Sequence, residues 1–135
     1  MITLDTSGLF AALNRVDPNH ELVQCILLAD PGPRLIPDGL LAEVTYLVEA
    51  RLGHQVLTIF LDAITQGGYQ LECSQPDVGR IRVLVERYRD LPLGFADAAV
   101  IACAERRGRQ VLTLDLKHFG VVAREGTIEI LPGWH

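Results

Sequence analysis

No run of about 18 uncharged apolar residues occurs anywhere in this 135-residue chain, so no segment is long enough to cross a bilayer as a helix. The amino terminus, Met1-Ile2-Thr3-Leu4-Asp5, lacks the basic region, apolar run and small-residue cleavage site of a secretory signal. The cytoplasm is therefore the expected compartment. Cysteine is scarce: Cys25, Cys73 and Cys103 are odd in number and widely spaced, which fits neither a disulfide framework nor a Cys-x-x-Cys metal pair. All three are expected to be small core residues. The four histidines, His20, His54, His118 and His135, form no His-x-x-x-His pair and are expected at the surface or in structural roles. His118, three residues after Asp115, is the one placed to lie near a site. Positive charge is also short, with 12 basic against 17 acidic residues and a net charge of -5, which argues against holding nucleic acid by bulk electrostatics. Lysine is nearly missing, since eleven of the 12 basic residues are arginine, the side chain suited to bidentate phosphate contacts.

Against these absences stands an apolar content of 49% with 21% charged residues, enough for one hydrophobic core and one domain over residues 1–135. Repeats, low-complexity tracts and linkers are lacking. The apolar run ending at Leu4 reads as a strand feeding a short helix, Ser7 to Leu13, capped by Asp5 or Thr6. A second helix is expected from Asp17-Pro18, with Leu22, Cys25, Ile26 and Ala29 on its core side. Arg34 to Ile36 reads as a strand, and a helix from Asp38-Gly39 carries Leu40, Val44, Leu47, Val48 and Leu52 to Gly53. His54 to Gln66 is a further helix, Tyr69 to Cys73 an edge strand, and the segment from Pro76 a helix with Val78, Ile81, Leu84, Val85 and Tyr88 inward. Next come a helix from near Asp97 to Gly108, a buried strand from Gln110 to Leu114, and a last strand from Thr127 to Leu131. Strands alternating with helices imply an α/β fold with a mostly parallel sheet covered on both faces. In such sheets the functional crevice lies at the carboxyl ends of the strands, where the strand order reverses.

Asp5 and Asp115 stand at two such strand ends, and Glu43 and Asp97 stand in the first turns of helices. Each acid alone suits a turn, a cap or a helix dipole. Asp97 is the sharpest case, because Ala98 to Cys103 leave its helix almost no solvated face. If the strands pair in parallel, Asp5 and Asp115 leave adjacent ends, and the helices bearing Glu43 and Asp97 can face the same crevice. Carboxylates gathered there repel one another, and a hard divalent cation resolves the repulsion. Magnesium or manganese needs only carboxylates, waters and phosphate oxygens, which agrees with the lack of paired histidines and cysteines. Thr6, Ser7 and Thr113 flank Asp5 and Asp115, with hydroxyls able to orient a carboxylate or a metal-bound water.

Four motifs in order, Leu4-Asp5-Thr6-Ser7, Leu40-Leu41-Ala42-Glu43-Val44, Ala96-Asp97-Ala98-Ala99-Val100-Ile101-Ala102 and Leu112-Thr113-Leu114-Asp115-Leu116-Lys117-His118-Phe119, give the chain a resemblance to PIN-domain ribonucleases. It most resembles the VapC-type toxins of bacterial toxin-antitoxin pairs. The resemblance implies a three-layer α/β/α PIN-like fold and a Mg2+- or Mn2+-dependent endoribonuclease. Asp5, Glu43, Asp97 and Asp115 match the family's acidic quartet, and Thr113 its hydroxyl position. By the same resemblance, Asp5, Asp97 and Asp115 hold the metal, and Glu43 positions the attacking water or a second ion. Hydrolysis of RNA by a metal-activated water then leaves 5' phosphate and 3' hydroxyl ends. Some relatives carry a further acid shortly before the third, where this chain has Leu91-Pro92-Leu93-Gly94. A small antitoxin is the implied partner, and the helices from Gly39 to Gln66 are apolar enough to offer it a groove and to offer a homodimer surface as well. Arg80, Arg82, Arg87 and Arg89, or Arg106, Arg107 and Arg109, are the candidates for holding RNA.

Two other readings are distinguishable. A phosphatase of the haloacid-dehalogenase type also begins with an Asp after a strand, but it requires a second Asp two positions on, where Ser7 stands. A catalytically silent PIN-like module that binds metal, RNA or a partner would not need all four acids.

Overall fold

The first strand, β1 (Ile2–Leu4), is buried along its whole length, as a central strand of a sheet covered on both faces must be. It enters helix α1 (Thr6–Leu13), followed by α2 (His20–Ala29) and strand β2 (Arg34–Pro37). A 3-10 turn at Asp38–Leu40 leads into α3 (Leu41–Leu52), then α4 (His54–Thr65) and β3 (Gln70–Glu72). A second 3-10 turn, Gln75–Asp77, precedes α5 (Val78–Arg87), α6 (Phe95–Arg106) and β4 (Gln110–Leu112). The last elements are α7 (Leu116–Arg124) and β5 (Glu129–Leu131). This computed structural model describes residues 1–133. His135 lies outside them.

All strand pairs are parallel, in the order β3-β2-β1-β4-β5. Thr3 pairs with Val111 and Leu4 with Leu112, so β1 and β4 are neighbours although a hundred residues separate them. The chain builds outward from β1 to β2 and β3, then crosses back to add β4 and β5 on the other side. Right-handed crossovers consequently place α1 to α4 on one face and α5 to α7 on the other. This is the α/β/α arrangement of the PIN-like fold, with the order reversing between β1 and β4. The core fills both interfaces: Leu9, Val44, Val48 and Phe60 on the first side, Ile81, Leu84, Ala98 to Cys103 and Phe119 on the second. Among the described residues, no helix is long and apolar enough to cross a membrane.

Several expectations are corrected in detail. The second helix begins at His20 and turns Val23 and Leu27 inward, while Leu22, Cys25 and Ala29 are exposed. Its short length and apolar composition allow two helical phases, and packing against α1 selects the other one. Cys25 and Cys73 are exposed, and only Cys103 is buried, with its Sγ 3.6 Å from Thr3 Oγ1. On α5, Val78 and Val85 lie at the exposed margin of the expected inner stripe. The strand expected over Gln110 to Leu114 ends at Leu112, and residues 116–124, where no element is expected from the sequence, form α7. Phe119 and Val122 of α7 enter the core, and Gly120 within it does not break the helix.

Candidate active site

Asp5 follows β1 directly and caps α1, its Oδ1 accepting the Gly8 backbone N–H at 2.8 Å. The cap is only part of its role. Thr113 Oγ1 donates to Asp5 Oδ2 at 2.7 Å, and Ser7 Oγ lies 2.9 and 3.0 Å from the two carboxylate oxygens. Each hydroxyl in turn accepts a backbone N–H from the segment beyond β4: Leu114 on Ser7 Oγ at 2.9 Å, and Asp115 on Thr113 Oγ1 at 2.9 Å. The hydroxyls thereby tie the carboxyl end of β1 to that of β4 and leave their protons directed at one carboxylate. Asp5 is 4% exposed. Burial pushes its carboxyl up to about 6, against hydrogen bonds from Gly8, Thr113 and Ser7 that favour the charge and with the Asp97 carboxylate adding to the rise.

The approach of α1 to β4 depends on Gly8. A Cβ at this position would overlap the Leu112 carbonyl, so the helix can lie this close to the strand only with glycine there.

Asp115 is the N-cap of α7, its Oδ1 accepting the His118 N–H at 3.0 Å. Its other oxygen is 2.8 Å from His118 Nδ1. A carboxylate only accepts, so Nδ1 carries the proton in this pair. Asp97 lies in the first turn of α6, which starts at Phe95 with Gly94 as cap. It is half-buried, and no hydrogen bond engages its carboxylate among the described residues. Burial raises its pKa, His118 opposes the rise, and the charges of Asp115 and Glu43 add to it. Glu43 is more exposed than its apolar neighbours suggest, and Thr6 Oγ1 donates to its Oε1 at 3.4 Å.

Asp5, Glu43, Asp97 and Asp115 all line one cavity of about 380 Å³, together with Thr6, Ser7, Phe10, Asp17, Leu47, Arg51 and Leu114. Among the described residues, no three His, Cys, Asp or Glu side chains converge closely enough to hold a metal ion by themselves. The donor set nevertheless suits a hard cation. A carboxylate offers about four lone-pair sites. Asp97 has all of them open, Asp115 has those that His118 leaves, and Asp5 has what three donors spare. Magnesium is held through one or two carboxylates with waters and phosphate oxygens completing its shell, a demand that this arrangement meets without a closed cage.

Asp17, Phe10 and Arg51 are cavity residues that the sequence does not single out. Arg51 is legible only as the third member of a four-residue spacing with Glu43 and Leu47. The arginines expected to hold RNA are largely engaged: Arg80 with Glu105, Arg87 with Glu125, Arg89 with Glu86, Arg106 with Asp77 and Glu72, and Arg107 with Glu72. Arg109 donates to the Gly126 and Thr127 carbonyls. Five of these six are tied to other elements, and Arg89 to Glu86 three residues before it.

A reversed parallel sheet with four carboxylates at its switch point is the architecture of a PIN domain, and the PIN domain family model matches residues 2–125: the chain belongs to that family. It is 31% identical over 121 residues to the ribonuclease VapC26 of Mycobacterium tuberculosis, covering 88% of this chain and 90% of that protein. Among solved structures, the Sarcin-Ricin loop cleaving toxin VapC20 of Mycobacterium tuberculosis superposes with a TM-score of 0.77 at 20% identity, over 93% of this chain and 95% of that one. VapBC2 from Rickettsia felis, solved bound to a DNA fragment from their promoter, gives 0.70 at 19% identity with all of both chains covered. These two likenesses concern the fold.

Proposed function

We propose that this chain is a single-domain endoribonuclease over residues 1–135, the toxin of a VapBC-type toxin-antitoxin module, dependent on Mg2+ or Mn2+ and working in the cytoplasm. The observation that carries the reading is the shared cavity of Asp5, Glu43, Asp97 and Asp115 at the switch point of a PIN domain. Its relation to the ribonuclease VapC26 supplies the substrate class.

Asp5, Asp97 and Asp115 would hold the ion. When bound, it would neutralise charge where a phosphodiester enters and promote attack by water on phosphorus. The chain's own residues prepare that chemistry. Thr113 and Ser7 fix the Asp5 carboxylate by donating to it, and His118 fixes Asp115. Asp97 keeps its oxygens free toward the cavity. Glu43, at the exposed rim, orients the attacking water, and Thr6 steadies its side chain.

A small antitoxin is the proposed protein partner. A groove lined by Leu52, Val56 and Ile59 of α3 and α4 with Leu13 and Val16 supports it, because a contiguous apolar surface gains by being covered. The separate apolar patch of Val78, Val85 and Phe95 supports a homodimer.

The test is incubation of the purified chain with an RNA pool in Mg2+, in Mn2+ and in chelator. Cleavage with either metal that EDTA abolishes is the expected result. Intact RNA under all three conditions would instead favour a PIN domain that binds without cutting.

A further inference from the structure

In the acid-lined cavity one cation stands among five carboxylates, those of Asp5, Asp17, Glu43, Asp97 and Asp115. It is Arg51, and among the described residues no carboxylate comes within ion-pair distance of it. Other arginines of the chain, such as Arg80 and Arg106, close onto acids. Arg51 instead lies over the Phe10 ring, its guanidinium carbon 6.0 Å from the ring centre. Phe10 belongs to α1 and also lines the cavity. The ring holds the guanidinium by its face and leaves the N–H edge unspent. Along α3, Glu43, Leu47 and Arg51 follow one another at four-residue spacing, so a single helix stripe runs from the acids to the cation.

Resting on the ribonuclease reading, we propose that Arg51 is an RNA-phosphate contact of this cleft, positioned by Phe10, and that it grips the backbone at a nucleotide neighbouring the bond cut. The eight residues from Glu43 to Arg51 span about 12 Å along the helix axis, further than one phosphodiester reaches. That separation favours a neighbouring phosphate over the one attacked. An open guanidinium edge matches phosphate oxygens bidentately. Its place in the last turn of α3 also suits a cation, because the helix dipole is negative there. In a chain of net charge -5 such a contact is valuable, since the rest of the cavity wall repels the substrate.

The test compares Arg51→Ala and Arg51→Lys in two settings, with an RNA oligonucleotide that the parent chain has already been seen to cleave. That prior cleavage secures the ribonuclease reading, so the comparison of variants bears on Arg51 alone. In the Asp97→Asn background with chelator, fluorescence anisotropy across a salt series should show Arg51→Ala weakening binding roughly tenfold and lowering the salt slope by about one. Arg51→Lys should keep most of the slope, since it retains the charge. In the otherwise unaltered enzyme, Arg51→Ala should raise KM while kcat changes little. Unchanged affinity and salt slope in Arg51→Ala, or a loss confined to kcat, would overturn the assignment. Circular dichroism of each variant shows whether the fold is retained, and Arg51→Lys supplies the readout if alanine disturbs packing on Phe10.

Discussion

Asp5 is the most deeply buried of the five cavity acids, and burial outweighs three donated hydrogen bonds to push its carboxyl up to about 6. A carboxyl whose folded pKa lies above its unfolded value of 3.8 stabilises the fold while protonated, and this stability is lost as the pH rises through about 6. At neutral pH, without metal, the cost is roughly 3 kcal/mol. Asp5→Asn removes the charge and keeps an oxygen for the Gly8 N–H. In EDTA, its stability relative to the parent should therefore rise between pH 4.5 and 7, as followed by urea denaturation. A difference between the two that is flat with pH would contradict this account of Asp5. The acid itself is legible in the sequence, because a strand running into a helix marks its position. Its hydroxyl partners are legible only as neighbours, since the contact between Ser7 and Thr113 depends on β1 pairing with β4.

At the scale of elements, α1 and the segment after β4 act as one unit through Ser7, Thr113 and the backbone of Leu114 and Asp115. Gly8 permits this by leaving room for the Leu112 carbonyl. Gly8→Ala should force α1 away from β4 and lower stability by about 1–3 kcal/mol in thermal or urea unfolding. It should also reduce RNA cleavage, although Gly8 carries no reactive group. An alanine variant with the parent's stability would show that α1 can shift freely. Helix α7 is hard to see in the sequence because Gly120 interrupts a short pattern and Asp115 suits a turn as well as a cap. The spacing of Phe119, Val122 and Ala123 after that cap contains the signal. The opposite error on α2 has a different origin: its apolar residues encircle the helix enough that sequence alone does not choose between Val23 with Leu27 and Leu22 with Cys25.

The whole molecule brings together at the carboxyl ends of β1 and β4 acids that lie far apart along the chain. The family's motif order makes this meeting legible, whereas the pairing of Arg80, Arg87, Arg106 and Arg107 with acids of other elements is not, because it depends on which elements pack. Like charge concentrated at one end of the sheet should be relieved by a divalent cation, to the benefit of the whole fold. Mn2+ at about a hundred times its dissociation constant should stabilise the protein by roughly 3 kcal/mol, visible as a rise in Tm. Asp97→Asn should shrink that rise, and an equal rise in the variant would place the ion elsewhere.

On the ribonuclease reading the gathered carboxylates cut RNA, with Asp97 as the open ligand among them. The most direct test of that reading is the cleavage rate of Asp97→Asn against the parent chain in Mn2+, with both shown to be folded by circular dichroism. The variant should stay folded and lose nearly all cleavage. Cleavage at the parent's rate by the folded variant would contradict that reading.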